Sequence, residues 1–112
     1  MKEEYKDIVR SLYLEVLHKD PDIVGLENYA LLMEEEGLTD EAIREALVNS
    51  EEFQTTHASE IKIIKVLYQE ILDREPEPQG LAHYVWHMKL NNLSKEDIRA
   101  ILLKSDEYTM RK

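Results

Sequence analysis

One stretch of this chain is written twice, and the duplication limits the fold more than any other feature. The first copy runs Lys19-Asp20-Pro21-Asp22-Ile23-Val24-Gly25-Leu26-Glu27-Asn28-Tyr29, the second Arg74-Glu75-Pro76-Glu77-Pro78-Gln79-Gly80-Leu81-Ala82-His83-Tyr84. Each is a basic residue, an acid, a proline and an acid, followed by glycine, leucine and tyrosine at fixed spacing. The register extends without a gap at an offset of 55, pairing Leu12-Tyr13 with Leu67-Tyr68 and Glu15 with Glu70. It continues through Met33 and Met88 and through Ile43-Arg44 and Ile98-Arg99. It closes with Ser50-Glu51-Glu52-Phe53 against Ser105-Asp106-Glu107-Tyr108. Chance does not hold so long an ungapped register, so the halves are duplicated units. Two copies fall short of the roughly three that an open solenoid needs. The expected product is one domain over 1–112, with pseudo-twofold symmetry and each half closing the core of the other.

The spacing of apolar residues predicts helices. Tyr5, Ile8, Val9, Leu12, Tyr13, Val16 and Leu17 lay one stripe along 4–18. Pro21 ends that helix, because a residue before proline is pushed out of the helical region. Asp22 is placed to cap a second helix over 23–36, with Leu26, Tyr29, Ala30 and Met33 on one face and Gly37 as its stop. Thr39 caps a third helix reaching about Val48, with Leu38 stapled to Ile43. Ser50 caps a short turn from Glu51 to about His57, and Ser59 is expected to cap the fourth helix. The plan then repeats near 60–73, 78–91 and 95–104, with Asn92 for Gly37, Ser94 for Thr39 and Leu93 stapled to Ile98. Ile61, Ile63 and Val66 make the 60–73 helix the one expected to be most buried. No stretch alternates with period two. The fold class is therefore all-α, about six helices in two homologous halves.

Pro21, Asp22, Gly25, Pro76, Glu77 and Gly80 form the two structural hinges. Gly25 and Gly80 are expected where the backbone turns tightly or packs closely.

These residues resemble a known family. The set Leu-Tyr, then Leu, then basic-acid-Pro-acid, then Gly-Leu and Tyr, closing on Ser-acid-Glu-aromatic, is similar to the bacterial domain of unknown function 4214, which resembles the phycobilisome linker domain in the same motif. The likeness covers Ile8 to Phe53 and Ile63 to Tyr108. It implies an all-helical module of multidomain proteins, including surface proteins and proteins with glycosyltransferase domains, with no catalytic residues to transfer. The chain departs from the pattern in two places. Lys19 stands where the family has arginine, and the chain is acidic where phycobilisome linkers are basic.

Charge and composition exclude several roles. A net charge of −10 argues against nucleic acid and anionic membranes as partners. The charge is uneven: residues 1–57 hold 5 Lys/Arg against 15 Asp/Glu, and residues 58–112 hold 9 of each. The acidic half is expected to suit a basic protein surface, self-association being a further option. There are no cysteines, hence no disulfide or thiolate metal site. No apolar run approaches the roughly 20 residues of a membrane span. Met1-Lys2-Glu3-Glu4 lacks the apolar core of a signal peptide, which for a complete chain fits the cytoplasm.

Candidate sites are few. Asp20, Asp22 and Gly25 mimic positions one, three and six of a calcium loop, but Val24 and Leu31 occupy positions five and twelve, where oxygen ligands are needed. His83 and His87 stand four apart on one helix, off its apolar face, without a protease motif's glutamate. No cofactor, metal or nucleophile follows, and no enzyme is expected. Trp86 and Leu90 lie off the core stripe, with Leu31 as the counterpart of Trp86. They either seal the halves together or anchor a partner. The acids Glu34, Glu35 and Glu36 sit at a helix C-terminus, where the dipole disfavours them, and are the candidate docking patch. The resulting expectation is a non-enzymatic interaction or linker module. The alternative is a carbohydrate-associated accessory domain.

Overall fold

A computed structural model describes residues 2–110. Among them are eight helices and no strand: α1 (Lys2–Leu17), α2 (Ile23–Glu36), α3 (Asp40–Val48), α4 (Glu51–Thr56), α5 (Ala58–Leu72), α6 (Pro78–Leu90), α7 (Lys95–Leu103) and α8 (Asp106–Met110). The all-α class is as the periodicity predicts. The two helices beyond six are the short α4 and α8, one closing each copy of the repeat. The chain divides into two compact units, residues 1–53 and 54–112.

In the first unit α1 packs against α2 and α3. Its stripe narrows to Val9, Leu12 and Val16, all buried, while Tyr5, Ile8, Tyr13 and Leu17 flank it half-buried. Ala30 and Met33 of α2, Ile43, Leu47 and Val48 of α3, and Phe53 of α4 complete that core. In the second unit α5 packs against α6, α7 and α8. Its buried residues are Ile61, Ile64, Leu67, Tyr68 and Leu72, met by Leu81, Ala82 and Val85 of α6 and Ile98 and Leu102 of α7. Ile61 is buried as expected, but Ile63 is only half-buried and Val66 is exposed. Those two positions rotate off the stripe at 100° per residue and widen it without adding to the core.

The helix ends follow the sequence closely. The Asp22 carboxylate accepts from the Gly25 backbone N–H at 2.7 Å, and Thr39 Oγ1 accepts from Ala42 N–H at 3.1 Å. Ser94 forms a full capping box with Asp97. Ser50 and Ser105 act alike, each accepting from the N–H three residues on, at 3.3 Å, and donating to the carbonyl three residues back. Gly37 stops α2 in the left-handed region at φ 69°, and Asn92 takes the same conformation after α6 at φ 55°. His18 and Asp73, after α1 and α5, are also left-handed, at φ 54° and 55°.

Two local expectations are corrected. Ser59 caps nothing: α5 begins at Ala58, so Ser59 lies inside its first turn and His57 holds the cap position without a side-chain cap bond. His57 is buried, with its ring edge-on to Trp86 at 4.8 Å between centroids, so packing rather than capping sets the start of α5. Gly25 and Gly80 lie in the first turns of α2 and α6 and do not adopt positive φ. Of the two reasons for glycine, close packing holds and a tight left-handed turn does not.

Candidate binding cleft

In each unit the hinge loop, its glycine and a pair of tyrosines meet at one place. Tyr13 and Tyr29 are edge-to-face with centroids 6.3 Å apart, and Tyr68 and Tyr84 repeat the arrangement at 6.1 Å. A Cβ on Gly25 would lie 2.7 Å from the Tyr13 hydroxyl oxygen, and one on Gly80 3.1 Å from that of Tyr68. The glycines therefore make room for the phenols. Burial, foremost, raises the pKa of Tyr13, with contributions from Tyr29, Asp22 and Glu52. The Tyr68 phenol is pushed up to about 12, first by burial, then by Tyr84 and Glu77.

The basic residue of each hinge reaches the helix that closes its unit. In the second unit, Arg74 forms a fork on Glu107, donating from Nε at 2.7 Å and from Nη2 at 2.6 Å. Its Nη1 donates to Glu77 at 3.0 Å and to the Glu75 carbonyl at 2.9 Å. The guanidinium lies 5.1 Å from the centroid of the Tyr68 ring, a cation–π distance. These carboxylates, Glu107 foremost, raise the Arg74 pKa further. In the first unit, Lys19 donates once to Glu52, at 2.8 Å. The caps differ in step: Asp22 spends an oxygen on its helix, while the longer Glu77 makes no side-chain cap and clamps Arg74 instead.

Beside Lys19 the first unit has an open cleft of about 370 Å³. Tyr13, Tyr29, Asp20, Asp22 and Glu52 line it with Lys19, and Pro21, Leu17, Leu47, Ala46 and Ser50 complete its walls.

A second repeated contact ties α1 to α3 and α5 to α7. Arg44, 9% exposed, forks onto Glu15 at 2.5 and 3.1 Å and also holds Glu41. Arg99 repeats this more weakly, with Glu70 at 3.1 Å and Glu96 at 3.4 Å. Sequence reasoning missed both pairs, although the trace was present: acid and arginine recur 29 residues apart in each copy.

The residues singled out for partner binding fall on different units. Leu31 and the acids Glu34, Glu35 and Glu36 are exposed on α2. Leu90, on α6, is 65% exposed, whereas Trp86 is half-buried against His57 within its own unit. His83 and His87 meet edge to face with centroids 4.3 Å apart, and His87 pairs with Asn91 at 2.9 Å. Burial, then His87, lowers the His83 pKa. No cluster of three or more His, Asp or Glu suited to a metal ion occurs among the described residues. Among the same residues no helix is long and apolar enough to cross a membrane.

Fold and hinge together define a class: an all-helical module in which one hinge unit is used twice. The chain belongs to the family described as Domain of unknown function (DUF4214), whose profile matches residues 2–57 and again 44–111. No curated protein and no solved structure matches it.

Proposed function

We propose that this chain is a non-enzymatic protein-binding module whose first unit docks a basic surface of its partner. The observation that supports this is the partition of charge across a duplicated fold. The first unit carries 5 Lys/Arg against 15 Asp/Glu, the second 9 of each. The balanced second copy forms the same scaffold without an acidic excess, so the excess on the first is not needed for the fold and is open to a role in recognition. An acidic field of this kind steers basic partners and weakens with salt. The likeness to phycobilisome linkers, a motif resemblance, is compatible with a docking role. The test is a binding titration with a basic oligopeptide at low and high salt, using the wild type and a Glu34→Gln/Glu35→Gln/Glu36→Gln variant. Binding that falls with salt and with neutralisation supports the reading. Absence of binding at low salt sinks it.

A second reading is carbohydrate binding by the cleft, favoured by the tyrosine pair and neighbouring carboxylates. A glycan array separates the two, since sugar stacking and neutral hydrogen bonds resist salt where ion pairing does not.

A further inference from the structure

We infer that the cleft of the first unit is a guanidinium site that receives an arginine side chain of a protein partner. The inference rests on the protein-binding reading above and names the partner chemistry. It comes from comparing the molecule with itself. In the second unit a guanidinium occupies the corresponding position, held by the fork on Glu107, by Glu77 and by the Tyr68 ring. The first unit keeps a counterpart of every receptor group: Glu52 for Glu107, Asp22 for Glu77 and Tyr13 for Tyr68. What it lacks is the guanidinium.

Lys19 does not replace it. An ammonium is a compact charge without the planar fork that matches a carboxylate edge. Lys19 makes one contact, to Glu52, and a cleft of about 370 Å³ remains beside it. Three carboxylates, Asp20, Asp22 and Glu52, line the cleft with that single ammonium, so its wall is net acidic. Asp22 gives one oxygen to the Gly25 N–H and keeps the other for a donor. An incoming guanidinium would form a fork on Glu52, displace the lysine contact and lie against Tyr13, as Arg74 does on Glu107 and Tyr68. A lysine from a partner would meet only the kind of contact that Lys19 already makes. The site therefore discriminates between arginine and lysine, which a diffuse acidic surface does not.

The experiment uses the whole chain and two probes, the blocked amino acids Nα-acetyl-arginine methylamide and Nα-acetyl-lysine methylamide, followed by NMR. The arginine probe is expected to shift the Tyr13 ring and Glu52 resonances and to bind roughly tenfold more tightly than the lysine probe, about the worth of the second charge-assisted hydrogen bond that the fork adds. Lys19→Arg, which copies a side chain the second unit already accommodates, is expected to fill the cleft and remove this binding. Lys19→Ala is expected to strengthen it. Equal affinity for the two probes, or arginine binding untouched by Lys19→Arg, overturns the guanidinium site. If salt-sensitive oligopeptide binding survives that outcome, the acidic docking reading stands alone. If neither probe nor oligopeptide binds, both fall.

Discussion

At the scale of single residues, the repeat shows how one position can be filled for one reason and tolerate change differently in each copy. Gly25 and Gly80 both admit a tyrosine hydroxyl, but the space differs. Alanine at Gly25 would bring its Cβ to 2.7 Å from the Tyr13 hydroxyl and 2.9 Å from the capping oxygen of Asp22. Displacing that cap costs about 1 kcal/mol, which cancels the gain in helix propensity, and pushing the half-buried Tyr13 phenol away from the added methyl leaves a net loss. Gly80→Ala meets its nearest atoms at 3.1 and 3.4 Å and disturbs no cap. Thermal melts are expected to show Gly25→Ala clearly less stable than the wild type and Gly80→Ala close to it; equal losses would refute the packing account. A second prediction concerns Tyr68, whose phenol is raised from 10.0 to about 12. Folding favours the neutral phenol, so its contribution is complete below about pH 10 and is lost as the pH rises toward 12. Ultraviolet titration is expected to show a late phenolate component that disappears in Tyr68→Phe; its absence would mean that Tyr68 is not held as described. The sequence marked both glycines through their recurrence but not their conformation, because recurrence carries no sign of φ. The Glu15–Arg44 pair was equally present in the register and was missed because its members lie on α1 and α3, 29 residues apart.

At the scale of elements, the stops are more instructive than the helices. Among the described residues, four helices end in a left-handed residue, at His18, Gly37, Asp73 and Asn92, and glycine fills one of them. Gly37 has open space around it, so a methyl group there meets no neighbour and Gly37→Ala reports backbone strain alone. It is expected to lose about 1 kcal/mol. Asn92→Gly is expected to gain stability, by roughly half a kcal/mol, for the converse reason. Chemical denaturation of both variants checks the pair, and a stabilising Gly37→Ala would contradict the observed cap. Helix positions were legible because period 3.6 and the capping residues agree at Asp22, Thr39 and Ser94. Ser59 misled because it has a cap's identity in the wrong place. The true boundary is set by the burial of His57 against Trp86, a tertiary contact with no local signature.

At the scale of the whole molecule, the repeat made the class of fold readable, and the charge partition motivates the proposed docking surface. The cleft was not readable, since it depends on how far a lysine and an arginine reach from equivalent positions. The first unit has a core of its own, but one of about fifty residues is marginal in stability. Expressed alone, residues 1–57 are expected to unfold with a broad, weakly cooperative transition in circular dichroism. A sharp transition of a stable monomer would refute the expectation that the halves depend on one another. The paired hinges have a practical consequence as well. Arg74, already seated, serves as an internal standard for the open cleft. Any salt, temperature or denaturant that loosens a guanidinium from tyrosine and carboxylate acts on the occupied site in the same tube. A ligand's behaviour at Tyr13 can thus be calibrated against Tyr68 within a single spectrum, without a second protein.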